Sequence, residues 1–112
     1  MSKIYIETSI KQNKKTNEKL SILGILQDGI IKYTENNTMN ILDTKEETLK
    51  RKNKEKELII DFKNEIIKTN YNNYNLELKI KVKSEIKKEN YMKIEYILID
   101  TKDIFEYEIK WR

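Results

Sequence analysis

The chain has no cysteine, no histidine and no proline, and only two glycines, Gly24 and Gly29, among 112 residues. Without cysteine there is no disulfide framework and no thiolate metal site. The lack of histidine also removes the usual zinc ligands and the commonest general base. Two glycines cannot build a phosphate-cradling loop or a dinucleotide-binding fingerprint, and no serine lies in a Gly-x-Ser-x-Gly elbow. The missing proline leaves long strands uninterrupted. No apolar run approaches the roughly 18 residues needed to span a bilayer. Met1-Ser2-Lys3 leads straight into alternation, without the apolar core of a signal peptide. These absences lead us to expect a cytoplasmic protein with no membrane span, no metal and no cofactor.

What the chain does have is alternation. From Leu76 to Ile86 the even positions are Leu76, Leu78, Ile80, Val82, Ser84 and Ile86, and the odd ones are charged. Phe105, Tyr107, Ile109 and Trp111 repeat the pattern against Glu106, Glu108, Lys110 and Arg112. A period of two places the apolar side chains on one face of a strand. Charged residues make up 38% of the chain and hydrophobic residues another 38%, a composition that would also suit a disordered chain. The ordering of the apolar residues argues instead for one modest core in one domain, residues 1–112.

Strands are expected at about Lys3–Lys11, Lys19–Gln27, Ile30–Glu35, Thr38–Leu42, Glu47–Lys52, Glu57–Phe62, Glu65–Tyr71, Tyr74–Lys87, Tyr91–Asp100 and Ile104–Arg112. Gln12 to Glu18 reads as a polar link. Asp28-Gly29, Asn36-Asn37 and Asn72-Asn73 are tight-turn signals, because these residues tolerate positive φ. Gly24, inside a strand, marks a bulge, a bend or a close backbone approach. The segment Asp43 to Glu57 has good helix formers, but Leu49 is its only large apolar residue, so a helix there would have no stripe to bury. The expected fold is all-β: a single antiparallel up-and-down barrel of about 8–10 strands. Closure is favoured because it removes sticky edges.

Diffuse markers along nearly the whole chain resemble a known family. They are Gly24 and Gly29 followed by Tyr33-Thr34-Glu35, then Thr38 to Ile41 leading to Leu49-Lys50-Arg51, then Phe62 and Tyr71, and finally Lys93-Ile94-Glu95-Tyr96. On these the chain resembles the YwiB-like family of small bacterial proteins. Two turns depart from the family pattern: Arg51-Lys52-Asn53 lacks the family's glycine, and Tyr71-Asn72-Asn73 replaces a Tyr-x-Thr. The resemblance implies a lipocalin-like (calycin) β-barrel and brings no established activity with it.

Candidate sites are few. Tyr33, Tyr71, Tyr96 and Tyr107 lie in or at the ends of strands, with Tyr96 and Tyr107 on the apolar parity. Together with Trp111 they either pack a filled core or line a pocket for a small apolar ligand. Lys50, Arg51, Lys52, Lys54 and Lys56 put five basic residues into seven positions. Such a run reads first as a solvated hairpin tip and second as an RNA- or anion-binding patch, although no aromatic is interleaved to stack on bases. The net charge of +4 is weak support for nucleic acid, because Lys, Asn and Ile share A/T-rich codons. Asp100 with Asp103, and Asp61 with Glu65, are the acid pairs a carboxylate-based enzyme could use. Both flank turns, where solvated hairpin ends are the plainer reading. Ile97 and Ile99, with Ile66–Ile67 and Ile30–Ile31, fall partly on the outer parity. A contiguous patch of them would make a weak homodimer surface. The expectation is a non-catalytic binding protein for a small apolar ligand or a protein partner.

Overall fold

The computed structural model describes residues 1–112, apart from the side chain of Tyr71. Ten antiparallel strands follow one another in chain order: β1 (Ser2–Gln12), β2 (Lys15–Gln27), β3 (Ile30–Glu35), β4 (Thr38–Asp43), β5 (Thr48–Lys52), β6 (Lys56–Asp61), β7 (Ile66–Tyr71), β8 (Tyr74–Lys88), β9 (Tyr91–Leu98) and β10 (Ile104–Trp111). Each pairs with its sequence neighbours, and β10 pairs with β1, so the sheet is a closed up-and-down barrel. At the closure Tyr5 and Arg112 exchange backbone hydrogen bonds of 2.9 and 3.0 Å. No helix among the described residues is long and apolar enough to cross a membrane.

The turns follow from residue chemistry. In Asp28-Gly29, Asn36-Asn37, Asn72-Asn73 and Asn13-Lys14 both central residues have positive φ. That is the geometry whose twist matches the flanking strands. Asparagine serves here where glycine is scarce, since its short amide tolerates the left-handed region.

The interior is a continuous apolar core, with Ile6, Ile31, Leu42, Leu49, Met92, Ile94 and Ile109 fully buried. Gly24 is where two walls meet. A Cβ there would stand 2.3 Å from Ile6 Cδ1 and 2.7 Å from the Lys32 carbonyl oxygen. It is therefore a close-approach glycine. The irregularity in the β1–β2 ladder lies elsewhere, between Ile10 and Lys11.

Two elements differ from the sequence expectation. β2 begins at Lys15, so most of the supposed polar link is strand. Its inner face there carries Glu18 in place of an apolar residue, which hides the alternation. The second difference is in β8, where alternation alone places every second residue from Leu76 to Ile86 inside. Leu78, Ile80 and Val82 do join the core, but Leu76 is 56% exposed and Ile86 42%. Val82 pairs with Tyr96 and Ser84 with Glu95, leaving Lys83 as an extra residue. Such a bulge inverts facing beyond it: Glu85 lies opposite Ile94, and Ile86 opposite Lys93. Glu85 then meets Glu47, and the hydrogen bond between these two carboxyls raises its pKa.

Candidate functional site

The inner face is not wholly apolar. Tyr33 and Glu35 share the parity of Ile31, Asn40 that of Leu42, and Arg51 that of Leu49, so each polar side chain is carried inward by its strand. The register aligns Tyr33 with Asn40 and Asn40 with Arg51, giving one polar row across β3, β4 and β5. On the other side of the interior, β10 brings Tyr107, and the Tyr33 and Tyr107 hydroxyls share a hydrogen bond of 3.2 Å.

The ladder between β2 and β3 spans only Ile25–Gln27 against Ile30–Lys32. Beyond it β2 pairs with β1 alone, and side chains bridge towards β5. Arg51 Nη2 donates to Glu35 Oε1 at 3.0 Å and to Glu18 Oε2 at 3.2 Å. One guanidinium thus serves two carboxylates. Burial, followed by the hydrogen bond and repulsion from Glu18, pushes the Glu35 carboxyl up to about 7, although Arg51 and the Asn40 amide pull the other way. Asn40 Oδ1 is a buried acceptor without a hydrogen-bond partner among the described residues.

Beside this cluster lies a cavity of about 220 Å³. Ile10, Leu49, Leu58 and Ile60 give it an apolar wall, and Phe105, Tyr96 and Tyr107 an aromatic one. Glu18, Arg51 and Glu106 bring charge to it. Tyr96 stacks on Phe105 with centroids 5.4 Å apart and meets Phe62 edge-on at 5.6 Å. The residue is only 6% exposed and lines the cavity, and its hydroxyl makes no hydrogen bond among the described residues. Burial pushes that hydroxyl up to about 12, with Arg51 opposing. Glu106 is held by Lys93 at 3.6 Å and Lys11 at 3.8 Å.

The residues singled out from sequence are therefore divided. Tyr96 and Tyr107 line the cavity, and Tyr33 stands behind Tyr107. The side chain of Tyr71 lies outside the described residues. Trp111 lies beyond Ile109, away from Tyr107, where its backbone N–H bonds Asn90 at the opposite end of the barrel. There it lines a separate groove of about 340 Å³ with Tyr5, Ile22 and Arg112. The basic run is divided too. Arg51 points inward, Lys50 and Lys52 both lie 3.8 Å from Glu57, and Lys54 and Lys56 are exposed. Alternation along β5 makes this split inevitable, so the five cations do not form one patch.

The acidic pairs flank turns. Asp61 accepts from the Asn64 backbone and amide, and Asp103 from Asn13. Of the outward isoleucines, Ile30, Ile66, Ile97 and Ile99 are half-buried, and Ile31 and Ile67 are core. Large exposed apolar side chains occur instead as the paired Tyr5 and Leu23 of β1 and β2, at 62% and 59%, and on β8 at Tyr74, Leu76 and Ile86. Among the described residues, no group of three or more His, Cys, Asp or Glu is placed to hold a metal ion.

Sequence reasoning passed over Glu18, Glu35 and Asn40 as site residues. For the last two the signal was parity with Ile31 and Leu42. Glu18 shares parity with Leu20 and Ile22 but was lost to the supposed link. No family model and no curated protein matches the chain. Among solved structures it is similar to the ywiB protein from Bacillus subtilis, at a TM-score of 0.48 and 12% sequence identity, over 98% of this chain and 89% of that one.

Proposed function

We propose that this barrel is a non-catalytic binding protein that takes a small, largely apolar molecule into the cavity beside Arg51. The observation that carries this reading is Tyr96, a buried side chain that lines the cavity and whose hydroxyl makes no hydrogen bond among the described residues. A buried tyrosine ordinarily finds a partner for its hydroxyl. A ligand with one polar atom and an apolar body would supply that partner while covering the apolar wall. At about 220 Å³ the cavity is smaller than the roughly 300–1,000 Å³ of drug-sized sites. It is larger than the roughly 150 Å³ engineered cavity that admits benzene, so the occupant is the size of a substituted single ring.

We further propose that the chain is a divergent, calycin-type member of the YwiB-like family. The residues that support this are the ones the polar site uses: Tyr33 and Glu35, Arg51, and Tyr96. The basic-hairpin alternative is less well supported, since Glu57 lies beside two of its lysines and Arg51 is withdrawn from the surface.

Titration with benzyl alcohol, followed by the methyl resonances of Ile10, Leu49, Leu58 and Ile60, tests the binding reading. We expect saturable shifts confined to these methyls, and their loss in Leu58→Trp, which fills the cavity. Unmoved methyls in the native protein at millimolar probe would overturn it.

A further inference from the structure

The chemistry of the cavity narrows the class of ligand. We propose that the site takes a small organic cation, an ammonium group on an apolar or aromatic body, with the ammonium held by Glu18 and the Tyr96 hydroxyl. This deepens the proposed function and rests on it.

The charge balance comes first. Two carboxylates, Glu18 and Glu35, share the single guanidinium of Arg51, at 3.2 and 3.0 Å. Glu106 adds a third acid to the wall, with Lys93 and Lys11 beyond it at 3.6 and 3.8 Å. The groups facing Glu35 are Glu18 from β2, Asn40 from β4, Arg51 from β5, and the Tyr33 and Tyr107 hydroxyls behind them. Only one of these, Arg51, is cationic. The cluster is therefore one positive charge short when both carboxylates are ionised. A buried charge left uncompensated is costly, and a ligand cation would remove that deficit.

The second argument is the acceptor set. Tyr96 and Glu18 both line the cavity, and an ammonium has hydrogens to donate to the hydroxyl of one and the carboxylate of the other. The stacked Tyr96 and Phe105 rings offer π surface beside them, which attracts a cation further. An anion would find Arg51 already engaged and would face Glu18 and Glu106.

Proton linkage supports the same assignment. Burial first, and then the neighbouring Glu18, raise the Glu35 carboxyl to about 7. A bound cation favours the ionised form and displaces that proton, so its affinity should rise with pH through about 7. A neutral ligand should feel none of this.

The experiment compares benzylammonium, benzyl alcohol and benzoate on the full chain, at pH 5.5 and pH 8. At pH 8 we expect benzylammonium to bind at least about tenfold tighter than benzyl alcohol, a ratio worth roughly one ammonium contact, and benzoate to bind weakest. At pH 5.5 the advantage should shrink several-fold. Calorimetry near pH 7 in two buffers of different ionisation enthalpy should register proton release for benzylammonium alone. Glu18→Gln should bring benzylammonium to parity with benzyl alcohol. If benzyl alcohol binds and benzylammonium or benzoate shows no such ordering, the cation assignment falls and the small-ligand reading stands. If no probe binds, both fall. A benzylammonium affinity unmoved by pH and by Glu18→Gln also overturns the assignment, since binding would then lie elsewhere.

Discussion

Gly24 is held tightly against the neighbouring wall. The atoms a Cβ would meet include the Lys32 carbonyl oxygen at 2.7 Å, which belongs to the neighbouring wall and cannot rotate away. Gly24→Ala should therefore destabilise by about 1–3 kcal/mol, as overpacking does, read as a lower denaturant midpoint at unchanged slope. Glu35 makes a different prediction. Its folded pKa, about 7, lies above the ordinary 4.5, so the folded state holds the proton more tightly than the unfolded one. Its contribution to stability is fully present below pH 4.5 and is lost as pH rises towards 7. Above that the contribution is flat. Glu35→Gln removes this dependence, so the stability difference between variant and native should move in the variant's favour from pH 5 to about 7.5. Parallel pH courses of denaturant unfolding would show it, and parallel lines for the two proteins would count against it.

At the scale of elements, β8 separates what alternation reveals from what it hides. Leu76 and Ile80 look equivalent in the sequence, yet one is 56% exposed and the other 4%. Leu76→Lys should change stability by no more than about 0.5 kcal/mol. Ile80→Lys, which buries an unpaired charge, should prevent stable folding. Circular dichroism and urea titration of the two variants decide the point. The strands and most turns were legible because period-two patterning and Asn or Gly at left-handed positions are local signals. The bulge at Lys83 was not, since a residue inserted into a ladder leaves the apolar–charged rhythm intact and changes only which side it faces. Glu18 was illegible for the opposite reason: its strand has polar residues where the rhythm should be. Arg51 lay in plain view but was grouped with its lysine neighbours, although its parity is that of Leu49. Parity, applied to polar residues as strictly as to apolar ones, would have picked out most of the polar row.

The whole molecule is a ring of neighbours, and its one distant pairing is β1 with β10, which joins Ile6 to Trp111. Topologies that need such long-range contacts fold slowly, over milliseconds to seconds. The chain has no proline, so the isomerisation that delays many proteins by tens of seconds has no bond to act on. Refolding monitored by Trp111 fluorescence should accordingly finish without a phase of that length, and prolyl isomerase should not accelerate it.

Closure by β1 and β10 also has a consequence for synthesis. On the ribosome, β1 emerges before its outer partner β10. Nascent hairpins can form in order, but the ring cannot shut until the stretch from Ile104 has cleared the exit tunnel. Until then one flank of β1 is bare, and the charges along it, Lys3, Glu7 and Lys11, are of the kind that disfavours pairing of an open edge with another chain.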